Sequence, residues 1–298
     1  MTASTTDDTQ RTARRDRLLG IGLMCGALLC FSCLDTTAKY LGRELPTLQV
    51  VWARYFSNVA IVLMVINPVT QPGVLRSRRI GLQIFRSFLL LASTILNFWA
   101  LRYLQLGEAI SINFMLPLLV AILAVPMLGE RLERNRMGAI LVGFAGVLIV
   151  TRPGLGGMHP AALLCVIGCI CYAFYGITTR ILSTHDSSAT TLVYSGFVGV
   201  ALLTPILPFL WQQPASTTTW LFMASMGIYA ALGHYLLIVA YKKAPAAVVA
   251  PFIYTQLLWM NVLGYLVFGD VPDRYTLLGG LVVAGSGLYL LFMERRKA

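Results

Sequence analysis

Long apolar runs alternate with short polar clusters along this chain, and the runs are too long for soluble helices. A window of about 20 residues, the length needed to cross a bilayer, separates ten of them: approximately 18–40, 46–66, 80–103, 107–128, 135–151, 161–182, 190–211, 219–241, 246–268 and 276–293. Runs five and ten are the shortest. Pro46 and Pro245 stand at or just before helix starts, where a missing N–H costs nothing. Asn67–Arg79 and Trp211–Thr218 are rich in Pro, Gly, Ser or Thr and read as loops. The polar first 17 residues, with Arg11, Arg14, Arg15 and Arg17, look like the n-region of a signal peptide. The run from Leu18 to about Leu41 is too long for an h-region, and no small-residue cleavage site follows it. It reads as a first transmembrane helix.

Composition agrees. Of the 298 residues 57% are apolar and 12% charged, against about 25% charged in a soluble domain. Disorder, a disulfide scaffold and a collagen-like fibre are excluded on the same ground. The net charge of +11 does not indicate nucleic acid, because the basic residues flank apolar runs and no polar domain exists to carry a basic face. Their placement gives orientation. With the N-terminus inside, 16 of 23 Lys and Arg fall on the cytoplasmic side, and Lys39, Arg43, Arg102, Arg152 and Arg274 fall outside. Both termini are expected in the cytoplasm, which an even number of spans allows. Cys25, Cys30, Cys33, Cys165, Cys169 and Cys171 all lie in two apolar runs. Cys30 and Cys33 form a C-x-x-C, but no second ligand pair accompanies it, so close helix packing is the favoured reading and no cofactor or metal is expected.

The two halves repeat. Ala100–Glu130 aligns on Ala240–Asp270 at an offset of 140, matching Gly129-Glu130 with Gly269-Asp270. Elsewhere an offset of 141 matches Gly138 with Gly279, Gly146 with Gly287, Thr37 with Thr178 and Lys39 with Arg180. Five spans per copy is an odd number, so the second copy is inverted in the membrane, the architecture of secondary carriers. The expected fold is an all-α integral membrane protein of ten helices in two inverted five-helix repeats. Its parts are a tail over 1–17, repeats over 18–151 and 152–293, and a tail over 294–298.

Gly129-Glu130-Arg131-Leu132 followed by Gly138, Gly143 and Gly146, and Gly269-Asp270-Val271-Pro272 followed by Gly279, Gly280, Gly285 and Gly287, resemble the drug/metabolite transporter superfamily. Within it the chain is similar to the ten-helix group with two EamA-type domains. Asp35-Thr36-Thr37-Ala38-Lys39-Tyr40-Leu41-Gly42, Arg54, Arg86 and Ala250-Pro251-Phe252-Ile253-Tyr254 look most similar to the branch of bacterial S-adenosylmethionine carriers, although Ile253 and Gln256 stand where that branch suggests more strongly charged residues. The resemblance implies transport across a bacterial inner membrane, outward or inward, of amino acids, nucleotide-like metabolites, vitamins or toxic compounds.

Ionisable residues inside spans face cavities or pair with one another. Asp35 and Lys39, spaced i, i+4, are either an interfacial ion pair or a gate or substrate contact. Arg54 lies about 12 Å into its span at 1.5 Å per residue, and Arg86 is shallower. Two cations against one acid leave room for a ligand carboxylate or phosphate, since guanidinium binds either in bidentate fashion. The alternatives are that Arg86 reaches headgroups and that Arg54 bonds Asp35 or carbonyls. Asn97, Asn113, Tyr175, His234, Tyr254, Gln256 and Trp259 are the further candidate substrate contacts. On an ideal helix Gln256 and Trp259 share a face that Tyr254 does not. A polar cavity with aromatic walls suits an amino-acid-like or nucleoside-like solute. Asp35, Glu108 or His234 would carry a coupled proton; otherwise a counter-substrate is exchanged. Glu130 and Asp270 look structural, closing the following helix starts.

A secondary carrier working by rocking of the two halves is the leading class. A primary pump lacks its G-x-x-x-x-G-K loop. A lipid-modifying membrane enzyme would need clustered histidines, whereas His159, His185 and His234 are scattered. A scaffold has no reason to bury Arg54. The expected partners are a small-molecule substrate and the lipid bilayer, with the chain a monomer or homodimer.

Overall fold

The computed structural model of the chain describes residues 2–66, 71–128, 134–152, 159–182, 185–244 and 249–295. Ten helical spans follow one another. The first repeat comprises α1 (Thr2–Leu41), α2 (Thr47–Val65), α3 (Ile80–Leu101), α4 in two pieces (Leu106–Asn113 and Leu116–Leu128) and α5 (Arg134–Thr151). The second comprises α6 (Ala162–Leu182), α7 (Ser188–Leu203), α8 (Thr217–Lys243), α9 and α10 (Arg274–Arg295). Here α9 is a 3-10 turn (Ala250–Tyr254), an α-helix (Thr255–Leu263) and a π turn (Gly264–Phe268) in succession. Pro46 is the N-cap of α2, while Pro245 and the Gly129-Glu130-Arg131-Leu132 motif lie outside the described residues. At 1.5 Å per residue α1 is about 60 Å long, roughly twice the hydrocarbon thickness, so the polar N-terminal residues continue its helix beyond the apolar part.

Among the described residues six helices are long and apolar enough to cross a membrane, with shorter apolar helices at Met137–Thr151, Ala189–Leu203 and Phe252–Phe268. Large apolar side chains such as Met64, Leu163, Leu221, Phe209 and Leu266 point outward. In a bilayer that surface is solvated by lipid, and the backbone is satisfied within each helix.

The inverted repeat governs the packing. α1 packs on α8 as α6 packs on α3; α2 packs on α8 as α7 packs on α3; α9 packs on α1 as α4 packs on α6. The pairs α5–α10, α2–α7 and α4–α9 join each helix to its own counterpart, as a pseudo-two-fold axis requires. Most of the packing therefore lies between the halves. One bundle is built on α1, α2 and α8, and its mate on α3, α6 and α7. Where α5 meets α10, a Cβ on Gly146 would lie 3.0 Å from the Gly279 carbonyl, and one on Gly279 2.6 Å from that of Gly146. Only residues without side chains let two backbones approach this closely.

Both crossing spans on the axis are broken at the same place. Pro117 has no N–H to return to the Asn113 carbonyl four residues back, and α4 stops there; that carbonyl lies 3.7 Å from Cys169 Sγ instead. In α9 the 3-10 turn ends at Tyr254, the repeat counterpart of Phe114. The two rings meet edge to face, 4.9 Å between centroids.

Candidate functional site

The break in α4 and the mid-sections of α1, α2, α3, α6 and α8 surround a polar centre. Asn113 Nδ2 donates to Asn97 Oδ1 at 3.2 Å, and Asn97 Nδ2 points at Asp35 Oδ1 from 3.5 Å. α4, α3 and α1 are thus joined by a relay of two amides ending in a carboxyl that is only loosely held.

Arg54 enters from α2. Its Nη1 donates to Thr94 Oγ1 at 2.6 Å, while Thr94 itself donates to the Leu90 carbonyl at 2.9 Å. The Tyr55 and Phe98 rings lie 5.2 and 5.7 Å from the guanidinium, within the range of cation–π attraction. Arg54 Nε is buried and has no partner. The charge lies within electrostatic reach of Asp35, Tyr55, Tyr172 and His234, which gathers α1, α2, α6 and α8 about one cation. Among the described residues no ion pair to Arg54 or Asp35 forms. His234 meets Phe31 edge to face at 5.0 Å, and Tyr172 lies against Tyr175 at 5.2 Å.

Arg86 is placed differently. It is 3% exposed, deep between α3, α6 and α7 rather than near headgroups. Its Nε donates to Thr179 Oγ1 at 2.6 Å, Nη1 to Ser195 Oγ at 2.9 Å and the Thr191 carbonyl at 3.3 Å, and Nη2 to the Tyr175 hydroxyl at 2.8 Å. The fork is nearly saturated by neutral oxygens, and it clamps three helices from both repeats.

Other expectations are corrected. Lys39 does not pair with Asp35; it crosses to Asp270, 2.7 Å away, and to the Leu104 carbonyl at 2.9 Å. Four residues along a helix allow a pair, but Lys39 sits at the helix end, where another chain segment competes for it. Asp270 consequently does not close the following helix. Asp273 caps α10 by accepting from the Thr276 N–H at 2.7 Å, and it pairs with Arg152 at 2.6 Å. Burial alone would raise the Asp273 pKa, but those contacts hold it below the usual carboxylate value. Glu108 is engaged at a helix start, accepting from the Gln105 N–H at 2.9 Å. Glu130 lies outside the described residues.

Trp259 packs against the cluster of Met24, Leu28, Ala240 and Val249, and its Nε1 has no partner. Tyr254 sits on the pseudo-two-fold axis with an unpartnered buried hydroxyl. Nothing among the described contacts ties Gln256 to Arg54. Thr94 and Tyr55 carry no signal of the site in the sequence. A Thr on an apolar span carries no signal until its neighbour is known, but the offset of 140 already set Phe114 over Tyr254.

Beside Arg86 the connection before α3 is tied to α7. Asp186 accepts from Ser77 Oγ, the Arg78 N–H at 2.9 Å and Gln83 Nε2 at 2.9 Å. Burial works to raise its pKa, and these donors outweigh it, so the group titrates below its ordinary value.

Ten spans in two inverted repeats, folded around a polar centre with underused donors, define a membrane transport protein. The chain belongs to the EamA-like transporter family, whose profile matches residues 18–152 and 159–293. It is 30% identical over 288 residues to a riboflavin transporter of Vibrio cholerae, covering 94% of this chain and 95% of that protein. It is 27% identical to an S-adenosylmethionine uptake transporter of Rickettsia conorii, over 95% and 96% of the two chains. To the pseudopaline exporter CntI of Pseudomonas aeruginosa it is 25% identical, over 89% and 93%. A solved crystal structure superposes with a TM-score of 0.65 at 16% identity, over 93% of this chain and 98% of that one, a likeness of fold.

Proposed function

We propose that the protein is a secondary carrier, in a bacterial inner membrane with both termini cytoplasmic, for a small amphipathic organic metabolite bearing an anionic group. The observation that carries this is the state of Arg54. Its guanidinium, well inside a span, donates to Thr94 beside the Tyr55 hydroxyl and keeps a buried Nε without a partner. Leaving a charged donor unmade in low dielectric is costly, and a carboxylate or phosphate on the solute satisfies it with two parallel bonds. Asp35, Asn97 and Asn113 bind the polar remainder, and Tyr55, Tyr172 and the Phe31–His234 pair give it aromatic walls. S-adenosylmethionine, named for one relative, carries a carboxylate on a heteroaromatic solute of that build, whereas riboflavin, named for another, is heteroaromatic without a carboxylate or phosphate.

Arg86 and Tyr175 form the rim of the site, with Arg86 fixing Tyr175. Alternation moves the α1–α2–α8 bundle against the α3–α6–α7 bundle, because the repeats share too much packing to separate as halves.

The test is a thermal-shift and counterflow screen of purified protein against S-adenosylmethionine, riboflavin, amino acids and dicarboxylates. A ligand that binds the folded state raises its apparent stability. A shift that disappears in Arg54→Ala supports the reading; a shift that survives it unchanged removes Arg54 from the site.

A further inference from the structure

The end of the bundle where α1, α3 and α9 finish carries a compact cluster of charged and aromatic side chains. Lys39, 8% exposed at its side chain, pairs with Asp270 at 2.7 Å and donates to the Leu104 carbonyl at 2.9 Å. Asp270 reaches it through the way α9 ends. The π turn Gly264–Phe268 is followed by Gly269 at φ 71, which bends the chain so that the Asp270 N–H returns to the Gly264 carbonyl at 3.1 Å. Left-handed backbone of this kind favours glycine, and π turns recur at functional sites. The same turn sets the Phe268 ring 4.7 Å from Lys39 Nζ and 4.6 Å from Arg43 Cζ. One side chain thereby ties α1, the α3–α4 connection and the α9–α10 connection.

At the other end the repeat counterparts of Lys39 and Asp270 are Arg180, which is exposed, and Glu130, which lies outside the described residues. The counterparts of Arg43 and Phe268 are Thr184 and Leu128, neither a cation nor a ring.

We infer that Lys39, Asp270 and Phe268 form an ion-pair gate, which shuts the central cavity toward this face of the membrane and parts when the cavity opens there. The inference rests on the carrier reading above. A buried ion pair gains little net stability, because desolvation offsets its Coulomb attraction. On opening, both groups regain water, so the pair selects the closed geometry without locking it. A gate needs that property; a structural staple is better made from apolar contacts.

The test is hydrogen exchange of the full-length protein in lipid nanodiscs, with no ligand. Lys39→Gln and Asp270→Asn are each expected to speed exchange about tenfold over residues 101–106 and 264–270. They are also expected to slow exchange over 80–83 and 178–182, because opening one end shuts the other. The double exchange Lys39→Asp with Asp270→Lys recovers part of the original pattern, since the ion pair returns but the bond to the Leu104 carbonyl does not, and no recovery at all overturns the proposal. Faster exchange confined to the Lys39 end, with the opposite end unmoved, makes the cluster a local staple and overturns the proposal, as does no change at either end. Arg54→Ala separates the two readings: it leaves this pattern intact, and failure of the anion site shows only in transport and ligand binding.

Discussion

Arg54 and Arg86 are the two arginines set inside apolar spans, and their surroundings handle the same charge in opposite ways. Around Arg86, between α3, α6 and α7, Thr179, Ser195, Tyr175 and the Thr191 carbonyl meet the fork with four contacts. Around Arg54 one threonine meets it, and Nε has no partner. Ser195 is the repeat counterpart of Arg54 itself, so the position that carries a cation in one half carries an acceptor for a cation in the other. The repeat preserves packing and lets chemistry diverge. Hydrogen-bond satisfaction, rather than burial of charge, is what separates a binding residue from a clamp.

The largest expected effect lies on the Arg54 side of that contrast. Arg54→Ala should reduce transport in proteoliposomes by roughly a hundredfold or more, in line with losing a charge-assisted bidentate contact. Its thermal stability in detergent should stay within about 1 kcal/mol of the parent, since few of its bonds are made in the empty protein. A loss of stability as great as that of the Arg86 variant would erase the distinction.

Arg86→Ala comes next. It removes four contacts to neutral oxygens across three helices, so unfolding stability should fall by about 3 kcal/mol, read as a lower apparent Tm. Arg86→Lys should recover only part of this, because an ammonium cannot reproduce the planar fork. Full recovery would mean that charge alone matters there.

The fold was legible in the sequence to the extent that it depends on long apolar runs and their repetition. Ten spans and the inverted repeat follow from hydropathy and from the offsets of 140 and 141, whereas the stretch read as a loop over Asn67–Arg79 holds a 3-10 turn at Pro72–Leu75. The breaks in α4 and α9 did not follow, although Pro117 marks one and the alignment of Phe114 with Tyr254 marks the axis. The site was half legible. Arg54 and Asp35 stood out as charges in apolar runs, but helix spacing suggested Lys39 as the partner of Asp35. Spacing along one helix records which residues can meet. It does not show that Asp270, 231 positions away, reaches the lysine from another segment.

Thr94→Val sharpens the comparison at smaller scale. It deletes the Thr94 hydrogen bond to the Arg54 guanidinium, together with the contact to the Tyr55 hydroxyl, and keeps the side-chain volume. Ligand affinity should fall about tenfold, or about 1.4 kcal/mol, with stability lowered by about 1 kcal/mol or less. If affinity is unchanged, Tyr55 and Phe98 hold the guanidinium without help.

The smallest effect belongs to Asp186, beside the Arg86 clamp. Its carboxylate receives Ser77, the Arg78 N–H and Gln83, and these hold its pKa below the ordinary value against the opposing effect of burial. A carboxyl whose folded pKa is depressed adds stability above its unfolded pKa, about 3.9, and that stability is lost as pH falls through the lower folded value. The group is only partly buried, at the edge of the bundle, so screening keeps the gain below about 1 kcal/mol. Asp186→Asn should therefore lower Tm slightly at neutral pH and leave less difference from the parent as the pH drops below about 4. Arg54 lies far from this contact in the hydrogen-bond network, so the same titration on Arg54→Ala should follow the parent. An equal acid response in Asp186→Asn and the parent would show that the Ser77–Gln83 segment is held to α7 by something other than this carboxylate, and the clamp region would then reduce to Arg86 alone.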